Sequence, residues 1–251
     1  MKKRATSELK RYARECLLGK YPAVMLAMLI SFFLPSILIV PYSIDLPEKL
    51  NVDFVIYVIA LVIIQILGQL LAAGVLRMHL LLAQNQQVVF RDLFWIFRNR
   101  PDRFILATVL LYAILAVPII LTGVIIYFFI PDEVMERAVF LSAVILLMIA
   151  VELYLIYMFE FIYPLYMEHP EMTIWEGFQT SKSLMHGNKK RLFLLQLSFI
   201  GWQILGFCSM GIGFLWIGPY MTQTTANFYL DITGGLDPKG VHMDVSIDEM
   251  I

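Results

Sequence analysis

Long uninterrupted apolar runs dominate the hydrophobic pattern of this chain. Four of them exceed or reach the roughly 20 helical residues that cross a hydrocarbon core, and they cover residues 21–40, 54–82, 104–130 and 139–167. A fifth run, from Leu192 to Leu230, is too long for one straight span. Gly211 and Gly213 supply the conformational freedom for a reversal inside it. The pattern therefore predicts two further spans, over residues 192–210 and 213–229.

Three shorter segments show the apolar periodicity of amphipathic helices, and each precedes a basic turn. In the second of them, apolar residues recur from Phe90 to Phe97 at intervals of three and four positions. In the third, Thr173 and Glu176 form a capping box, and Gly187 follows as a helix stop. These patterns predict interfacial helices over residues 7–18, 88–98 and 174–186. The whole chain is expected to contain three copies of an interfacial helix followed by a transmembrane hairpin.

The composition agrees with a membrane protein. Of the 251 residues, 60% are hydrophobic and 16% are charged, and the mean hydropathy is +0.76, whereas soluble domains carry roughly a quarter charged residues. The two cysteines, Cys16 and Cys208, are too few for a disulfide framework. No small-residue cleavage site follows the first apolar run, so an uncleaved anchor is expected rather than a signal peptide.

The distribution of basic residues predicts the orientation in the membrane. Short cytoplasmic segments carry the excess of Lys and Arg, and all but two of the 19 basic residues fall on one side of the predicted spans. The exceptions, Lys49 and Arg137, lie in acidic loops. We therefore expect an all-α polytopic membrane protein with six transmembrane helices and both termini in the cytoplasm. Residues 1–232 would form one transmembrane domain, and residues 233–251 an acidic cytoplasmic tail.

Three stretches carry a resemblance to a known family: "SELKRYARECLLGKY", "SLMHGNKKRLFLLQLSFIGW" and "GIGFLWIGPYMTQTTANFY". The chain resembles a bacterial family of six-span integral membrane proteins, the domain of unknown function nine-seven-five. The resemblance implies a multi-pass protein of the bacterial cytoplasmic membrane, related to membrane domains found beside glycerophosphodiester phosphodiesterases. It implies no catalytic residues.

Motifs of soluble enzymes are absent from the sequence, including the phosphate-binding loop, the HExxH zinc motif and the GxSxG nucleophile turn. Four histidines occur, and they do not pair at metal-ligand spacing. We expect them to be solvated surface residues at positions 79, 169, 186 and 242. The protein is therefore expected to be no enzyme and to hold no metal or cofactor.

Four polar side chains fall near the middle of predicted spans and form a candidate intramembrane cluster: Gln65, Gln69, Glu152 and Gln203. Ionisable groups in hydrocarbon are costly and often functional. One interpretation is a proton or ion pathway centred on Glu152. The other, which we favour, is a protonated Glu152 that hydrogen-bonds the glutamines and joins helices, at about 0.6 kcal/mol per contact.

Arg77 and Glu160 lie at similar predicted depths, near the cytoplasmic ends of spans two and four. An ion pair between the two helices is the favoured interpretation. The alternative is that the Arg77 guanidinium binds a lipid phosphate through two parallel hydrogen bonds.

The sixth predicted span contains a candidate cavity around Pro219, Tyr220, Gln223 and Asn227. Pro219 is expected to kink or interrupt this helix, and broken helices with polar linings form binding sites in transporters. The alternative is that a kinked helix packs into the bundle beside Pro164. We favour this packing interpretation slightly.

Two functions from different classes are compatible with these patterns. The favoured one is a non-catalytic accessory or membrane-organising protein that binds anionic lipid or a membrane partner, with homo-oligomers also possible and nucleic acid excluded. Its headgroup-binding residues would lie in the basic turns: Lys20, Arg100, Arg103, Lys189, Lys190 and Arg191. The alternative is a small transporter or lipid-handling protein whose polar cavity lies among Glu152, Gln203 and the broken sixth helix.

Overall fold

The computed structural model describes residues 3–44 and 52–236. The first acidic loop, with Lys49, and most of the predicted acidic tail, with His242, lie outside the described residues. Within the described part of the chain the secondary structure is helical, without strands.

Eleven α-helices and one 3-10 helix follow one another along the described chain. They are α1 (Thr6–Leu17), α2 (Tyr21–Ile44), α3 (Val52–Ala83), the 3-10 helix (Phe90–Phe94), α4 (Trp95–Arg98), α5 (Pro101–Phe129), α6 (Val134–Phe159), α7 (Ile162–Glu168), α8 (Ile174–Met185), α9 (Lys189–Leu197), α10 (Ile200–Cys208) and α11 (Phe214–Thr233).

Five stretches of the described chain are long and apolar enough to cross a membrane: Tyr21–Pro41, Val52–Ala83, Pro101–Phe129, Val134–Glu168 and Lys189–Cys208. The chain is therefore a multi-pass membrane protein, which confirms the predicted class. Helix α11 occupies the sixth predicted span and is not among the five, because its second half carries hydroxyl and amide side chains. The number of six spans stays a prediction.

The chain forms two compact units. The first contains α1 to α4, α9 from Leu192 onward, α10 and α11, and the second contains α5 to α8 and the first three residues of α9. In the first, Leu17, Val24 and Met78 lie in a fully buried apolar core. In the second, the Phe104 ring stacks on Tyr163 at 6.3 Å and meets Tyr166 edge-on at 6.2 Å.

Each amphipathic segment docks on a longer helix of its own unit. Helix α1 packs on α11, the 3-10 helix packs on α3, and α8 packs on α6 and α7. The capping box at the start of α8 is confirmed, since the Thr173 hydroxyl accepts from the Glu176 N–H at 3.3 Å and the Glu176 carboxylate accepts from the Thr173 N–H at 2.8 Å. The segment predicted as one helix over residues 88–98 is instead a 3-10 helix followed by the single turn of α4.

Two long apolar stretches are interrupted inside their length. The break between α6 and α7 falls at Glu160 and Phe161, one turn before Pro164, because proline has no N–H for the carbonyl four residues earlier and its ring collides with that carbonyl. The second break, between α9 and α10, falls at Ser198 and Phe199.

Of the two alternatives predicted at Pro219, the interruption is wrong, and the kink stays a prediction. Helix α11 continues from Phe214 through Pro219 to Thr233 without a break. Proline is tolerated inside helices of membrane proteins, where neighbouring groups satisfy the freed carbonyl. Helices α2 and α5 likewise continue through Pro35, Pro41 and Pro118.

The predicted reversal between α10 and α11 is present, but the two glycines act differently. Gly211 has a φ of +91° and follows Met210 at +53°, so the chain turns there. Gly213 has an ordinary helical φ of −58°. A Cβ on Gly213 would lie 2.7 Å from the Ser209 hydroxyl oxygen, so this glycine permits close packing of the turn rather than the reversal.

Candidate functional site

A continuous chain of buried polar groups joins α1, α3 and α11 in the first unit. The His79 ring nitrogen Nδ1 lies 2.9 Å from Gln223 Oε1, and Gln223 Nε2 donates to the His79 carbonyl at 3.0 Å. The same Nε2 donates to Asn227 Oδ1 at 3.1 Å, and Asn227 Nδ2 donates to the Leu9 carbonyl at 3.3 Å. His79, Gln223 and Asn227 are fully buried. These hydrogen bonds therefore link α1, the first helix of the described residues, to α11, the last.

The bonds of Gln223 show that the Nδ1 nitrogen of the His79 ring carries a hydrogen. The amide nitrogen Nε2 of Gln223 faces two oxygens, so the amide oxygen Oε1 of Gln223 must face the histidine. An amide oxygen can only accept a hydrogen bond. Nδ1 of His79 therefore carries the hydrogen, and in the neutral ring Nε2 is an acceptor. This Nε2 is buried and has no hydrogen-bond partner among the described residues.

The prediction of a solvated His79 is wrong, whereas His169 and His186 are exposed as predicted. His79 lies four residues after Val75 and three before Leu82, both of which are buried. Because residues at these spacings share a helix face, the apolar face of α3 was the available sequence signal for its burial.

The four residues predicted for a cavity on the sixth helix have different surroundings. Pro219 lines an apolar cavity of about 730 Å³. The half-buried Tyr220 meets the Phe199 ring edge-on at 5.2 Å. Gln223 and Asn227 face the buried polar chain described above. A polar ligand site at these residues stays a prediction, and their observed bonds are those of a packed helix interface.

The predicted intramembrane cluster is distributed over the two units. Gln65 and Gln69 lie one turn apart on α3, and Gln203 lies on α10 with its Nε2 3.9 Å from the Met221 sulfur. These three belong to the first unit, and Glu152 on α6 belongs to the second. Its Oε1 is buried and has no hydrogen-bond partner in the described part of the chain. The cluster stays a prediction.

Arg77 has a partner within its own unit that the sequence did not indicate. Its guanidinium carbon lies 3.8 Å from the centroid of the Trp95 ring, which is cation–π geometry. Glu160 lies in the second unit at the break between α6 and α7. The ion pair between Arg77 and Glu160 and the contact of Arg77 with a lipid phosphate both stay predictions.

The six basic residues of the predicted headgroup-binding turns fall into two groups. Arg103 donates to the Pro170 carbonyl, Lys189 lies 3.5 Å from the centroid of the Tyr154 ring, and Arg191 is half-buried. The other three, Lys20, Arg100 and Lys190, are exposed.

Lys10 is a structural cation that sequence reasoning missed. Its Nζ donates to the Ser198 carbonyl at 2.8 Å and lies 3.9 Å from the centroid of the Phe199 ring. Burial, and to a smaller extent the charge of Arg14, lower the pKa of Lys10 below its ordinary value. In a continuous helix the Ser198 carbonyl would accept from a backbone N–H, so Lys10 binds an oxygen at the break between α9 and α10. No sequence signal connects positions 10 and 198.

Residues 1–235 match a family model whose description is Protein of unknown function (DUF975). The chain belongs to this family. Comparisons of the DUF975 chain with curated proteins and with solved structures found no match. The expected relation to membrane domains beside glycerophosphodiester phosphodiesterases stays a prediction.

The arrangement in this DUF975 protein is suited to joining helices and to contacting a charged surface. Among the described residues, no group of three or more His, Cys, Asp and Glu side chains is placed to hold a metal ion. The buried amides bind protein atoms, and the exposed cations lie in turns that follow amphipathic segments. A surface interaction is therefore the chemistry that these groups support best.

Proposed function

We propose that this DUF975 protein is a non-catalytic accessory protein of the bacterial cytoplasmic membrane, which binds anionic lipid headgroups through its basic turns. A membrane protein partner or a second copy of the chain would use the same surface. In this proposal the six predicted spans form three hairpins that enter the membrane from the cytoplasmic side, and both termini lie in the cytoplasm.

The exposure of Lys20, Arg100 and Lys190 is the observation that carries the proposal. Each follows an amphipathic segment that packs on a longer helix of its unit. Anionic headgroups attract basic residues at about 1 kcal/mol each near the surface. Three anchored turns with exposed cations would therefore hold the protein against anionic lipid.

Two exposed apolar side chains of the amphipathic segments also support the proposal. Trp175 at the start of α8 is 70% exposed, and Leu18 at the end of α1 is 61% exposed. Tryptophan is enriched at membrane–water interfaces because its ring is amphipathic. These side chains would enter the headgroup region.

Each amphipathic segment docks on the second helix of a predicted hairpin. These three matching arrangements support the predicted threefold repeat. This correspondence holds for α1 on α11, for the 3-10 helix on α3, and for α8 on α6 and α7. In the proposal each repeat contributes one basic turn to the same membrane surface.

Native mass spectrometry of protein reconstituted with phosphatidylglycerol and phosphatidylcholine tests the proposed headgroup contact. The triple variant Lys20→Gln, Arg100→Gln, Lys190→Gln is expected to retain fewer phosphatidylglycerol molecules than the wild type. The conservative triple variant Lys20→Arg, Arg100→Lys, Lys190→Arg keeps the charges and should retain the wild-type number. Equal phosphatidylglycerol retention by the neutral variant would overturn the proposal.

A transporter or lipid-handling function is the second candidate, and the buried Glu152 Oε1 without a described partner favours it. Ionisable side chains inside membrane-spanning segments mark candidate ion or proton pathways. Glu152→Gln keeps the shape and removes the charge. Proton uptake by proteoliposomes should fall in this variant if the second candidate is correct, and unchanged uptake would reject it.

A further inference from the structure

The turn between α10 and α11 is apolar and exposed at the same time. Phe207 is 74% exposed, Met210 93% and Ile212 62%. Loops that lie in water normally carry polar residues, since their backbone groups bond with solvent. The composition of this turn therefore suits hydrocarbon better than water.

The backbone N–H groups of the turn meet the condition that hydrocarbon imposes on donors. Every backbone N–H from Ser209 to Ile217 has an acceptor within the turn and the end of α10. Eight of these N–H groups donate to carbonyls, and the ninth, of Gly213, donates to the Ser209 hydroxyl at 2.7 Å. Inside a membrane each N–H without a partner costs several kcal/mol. The N–H groups of the turn can therefore lie in lipid without this cost.

Helix α2 indicates how deep the turn lies. Phe32 and Phe33 of α2 line the same cavity as Met210 and Ile212 of the turn. The turn therefore lies at the same height along α2 as these two phenylalanines. The apolar span of α2 continues to Pro41, about 12 Å beyond Phe33 at the helical rise of 1.5 Å per residue. If α2 crosses the hydrocarbon core, the turn ends well inside it.

The shared cavity has a volume of about 730 Å³ and is lined by apolar residues of α2, the turn and α11. No charged residue lines it. The flexible, polarizable side chains of Met28 and Met210 form part of the cavity wall. Gly218 also faces Met28, and a Cβ on Gly218 would lie only 3.0 Å from the Met28 methyl carbon, so a larger residue would take up this space. At this depth the surrounding solvent is lipid hydrocarbon.

We propose that the turn between α10 and α11 ends inside the hydrocarbon core and forms, with α2, a slot that holds one acyl chain of a membrane lipid. The slot goes beyond the proposed headgroup contact and does not depend on it. Failure of the headgroup experiment leaves the slot standing, and failure of the slot leaves the basic turns unaffected.

Cysteine accessibility tests the depth of the turn. In a Cys16→Ser, Cys208→Ser background, Met210→Cys and Glu133→Cys are treated in membrane vesicles with a charged maleimide on both faces. Both native side chains are exposed in the protein, so protein burial does not distinguish them. We expect modification of Glu133→Cys and none of Met210→Cys until detergent and denaturant are added. Equal modification rates would place the turn in water and overturn the proposal.

Photocrosslinking with a phospholipid that carries a diazirine in its acyl chain tests the slot. Crosslinks should concentrate on Met28, Phe33 and Met210 rather than on Phe207, which is exposed outside the slot. Gly218→Leu fills the slot and should abolish these crosslinks. If this variant fails to fold, Leu29→Trp fills the slot from α2 and should have the same effect. Gly201→Leu is the matched control, because Gly201 faces open space.

Two further results would contradict the acyl-chain slot. Equal crosslinking of Phe207 and the slot residues would show only the general lipid annulus. A disulfide-linked dimer of Met210→Cys under mild oxidation would assign the cavity to a second copy of the chain.

Discussion

At the residue scale, the buried amides of Gln223 and Asn227 link three helices of the first unit. Gln223 bonds α3 and Asn227 bonds α1, and because the two amides also bond each other within α11, they join α1, α3 and α11. Buried polar groups strengthen one another at low dielectric, and they become costly when a partner is lost. This chain of bonds therefore favours one register of the three helices.

Gln223→Met should lower the free energy of unfolding by about 1–3 kcal/mol, because it leaves the buried Nδ1–H of His79 without an acceptor. Thermal unfolding in mild detergent, followed by intrinsic fluorescence, measures the effect. The matched control is Gln203→Met, whose amide has only the weak 3.9 Å contact with the Met221 sulfur. Equal shifts in the two variants would show that the buried chain adds no stability of its own.

The capping box of α8 predicts a pH dependence. The bond from the Thr173 backbone N–H to the Glu176 carboxylate lowers the pKa of Glu176 below its ordinary value of 4.5. A lowered pKa in the folded state gives stability that is present at neutral pH and is lost as the pH falls through that pKa. The melting temperature of Glu176→Gln should therefore lie below that of the wild type at pH 7, and the difference should shrink towards pH 3. A difference that is independent of pH would contradict a contribution from the charge.

At the element scale, docking of the amphipathic segments depends on close approach to a longer helix. A Cβ on Gly74 would lie 2.0 Å from the Leu93 carbonyl oxygen, and one on Gly177 would lie 2.3 Å from the Tyr166 ring. These glycines permit contacts that any larger residue would prevent. The 3-10 helix and α8 are thus positioned by the absence of side chains as well as by apolar burial.

Gly74→Ala should destabilise the protein by about 1–3 kcal/mol, because the backbone carbonyl of Leu93 has to move. Gly201→Ala is the control, since nothing lies within 4 Å of its added Cβ, and alanine is favoured over glycine in a helix by up to about 1 kcal/mol. Detergent thermal melts should show a lower midpoint for the first variant and an unchanged or higher one for the second. A neutral Gly74→Ala would mean that the 3-10 helix does not need its close contact with α3.

At the scale of the whole molecule, the first unit brings the two ends of the described chain together. Arg4 Nε lies 3.7 Å from an Asp231 carboxylate oxygen, and Arg4 Nη2 donates to the Leu236 carbonyl at 3.2 Å. Helix α1 also packs directly on α11. Residues before the first span and after the last predicted span therefore lie side by side, as an even number of crossings requires.

Cysteine labelling tests on which side of the membrane the two ends lie. In a background without native cysteines, a charged maleimide should modify Ser7→Cys and Gly235→Cys in inside-out vesicles and not in spheroplasts. Both positions are exposed in the structure. Glu133→Cys should show the opposite preference, since the positive-inside rule puts its acidic loop outside. Labelling of Ser7→Cys and Gly235→Cys from opposite faces would imply an odd number of spans.

The residue pattern alone predicted that the long apolar runs are helical, although not the breaks between α6 and α7 and between α9 and α10, and the physical reason is local. Backbone groups in hydrocarbon must be satisfied within the segment, so an apolar run of sufficient length must be helical whatever it contacts. The capping box and the reversal at Gly211 are also local signals, and both were confirmed. The interruption at Pro219 was predicted wrongly because a proline does not by itself end a helix in a membrane protein, and α2 and α5 also continue through proline.

The tertiary structure alone decided which polar groups meet. The bond between His79 and Gln223, the bond between Asn227 and Leu9 and the insertion of Lys10 at Ser198 each join residues far apart in the sequence. No periodicity connects such positions, because they depend on which helix faces pack together. In this protein the sequence by itself therefore determined where the chain is helical and apolar. The fold decided which polar side chains join helices and which cations remain exposed, because both depend on neighbours from distant parts of the chain.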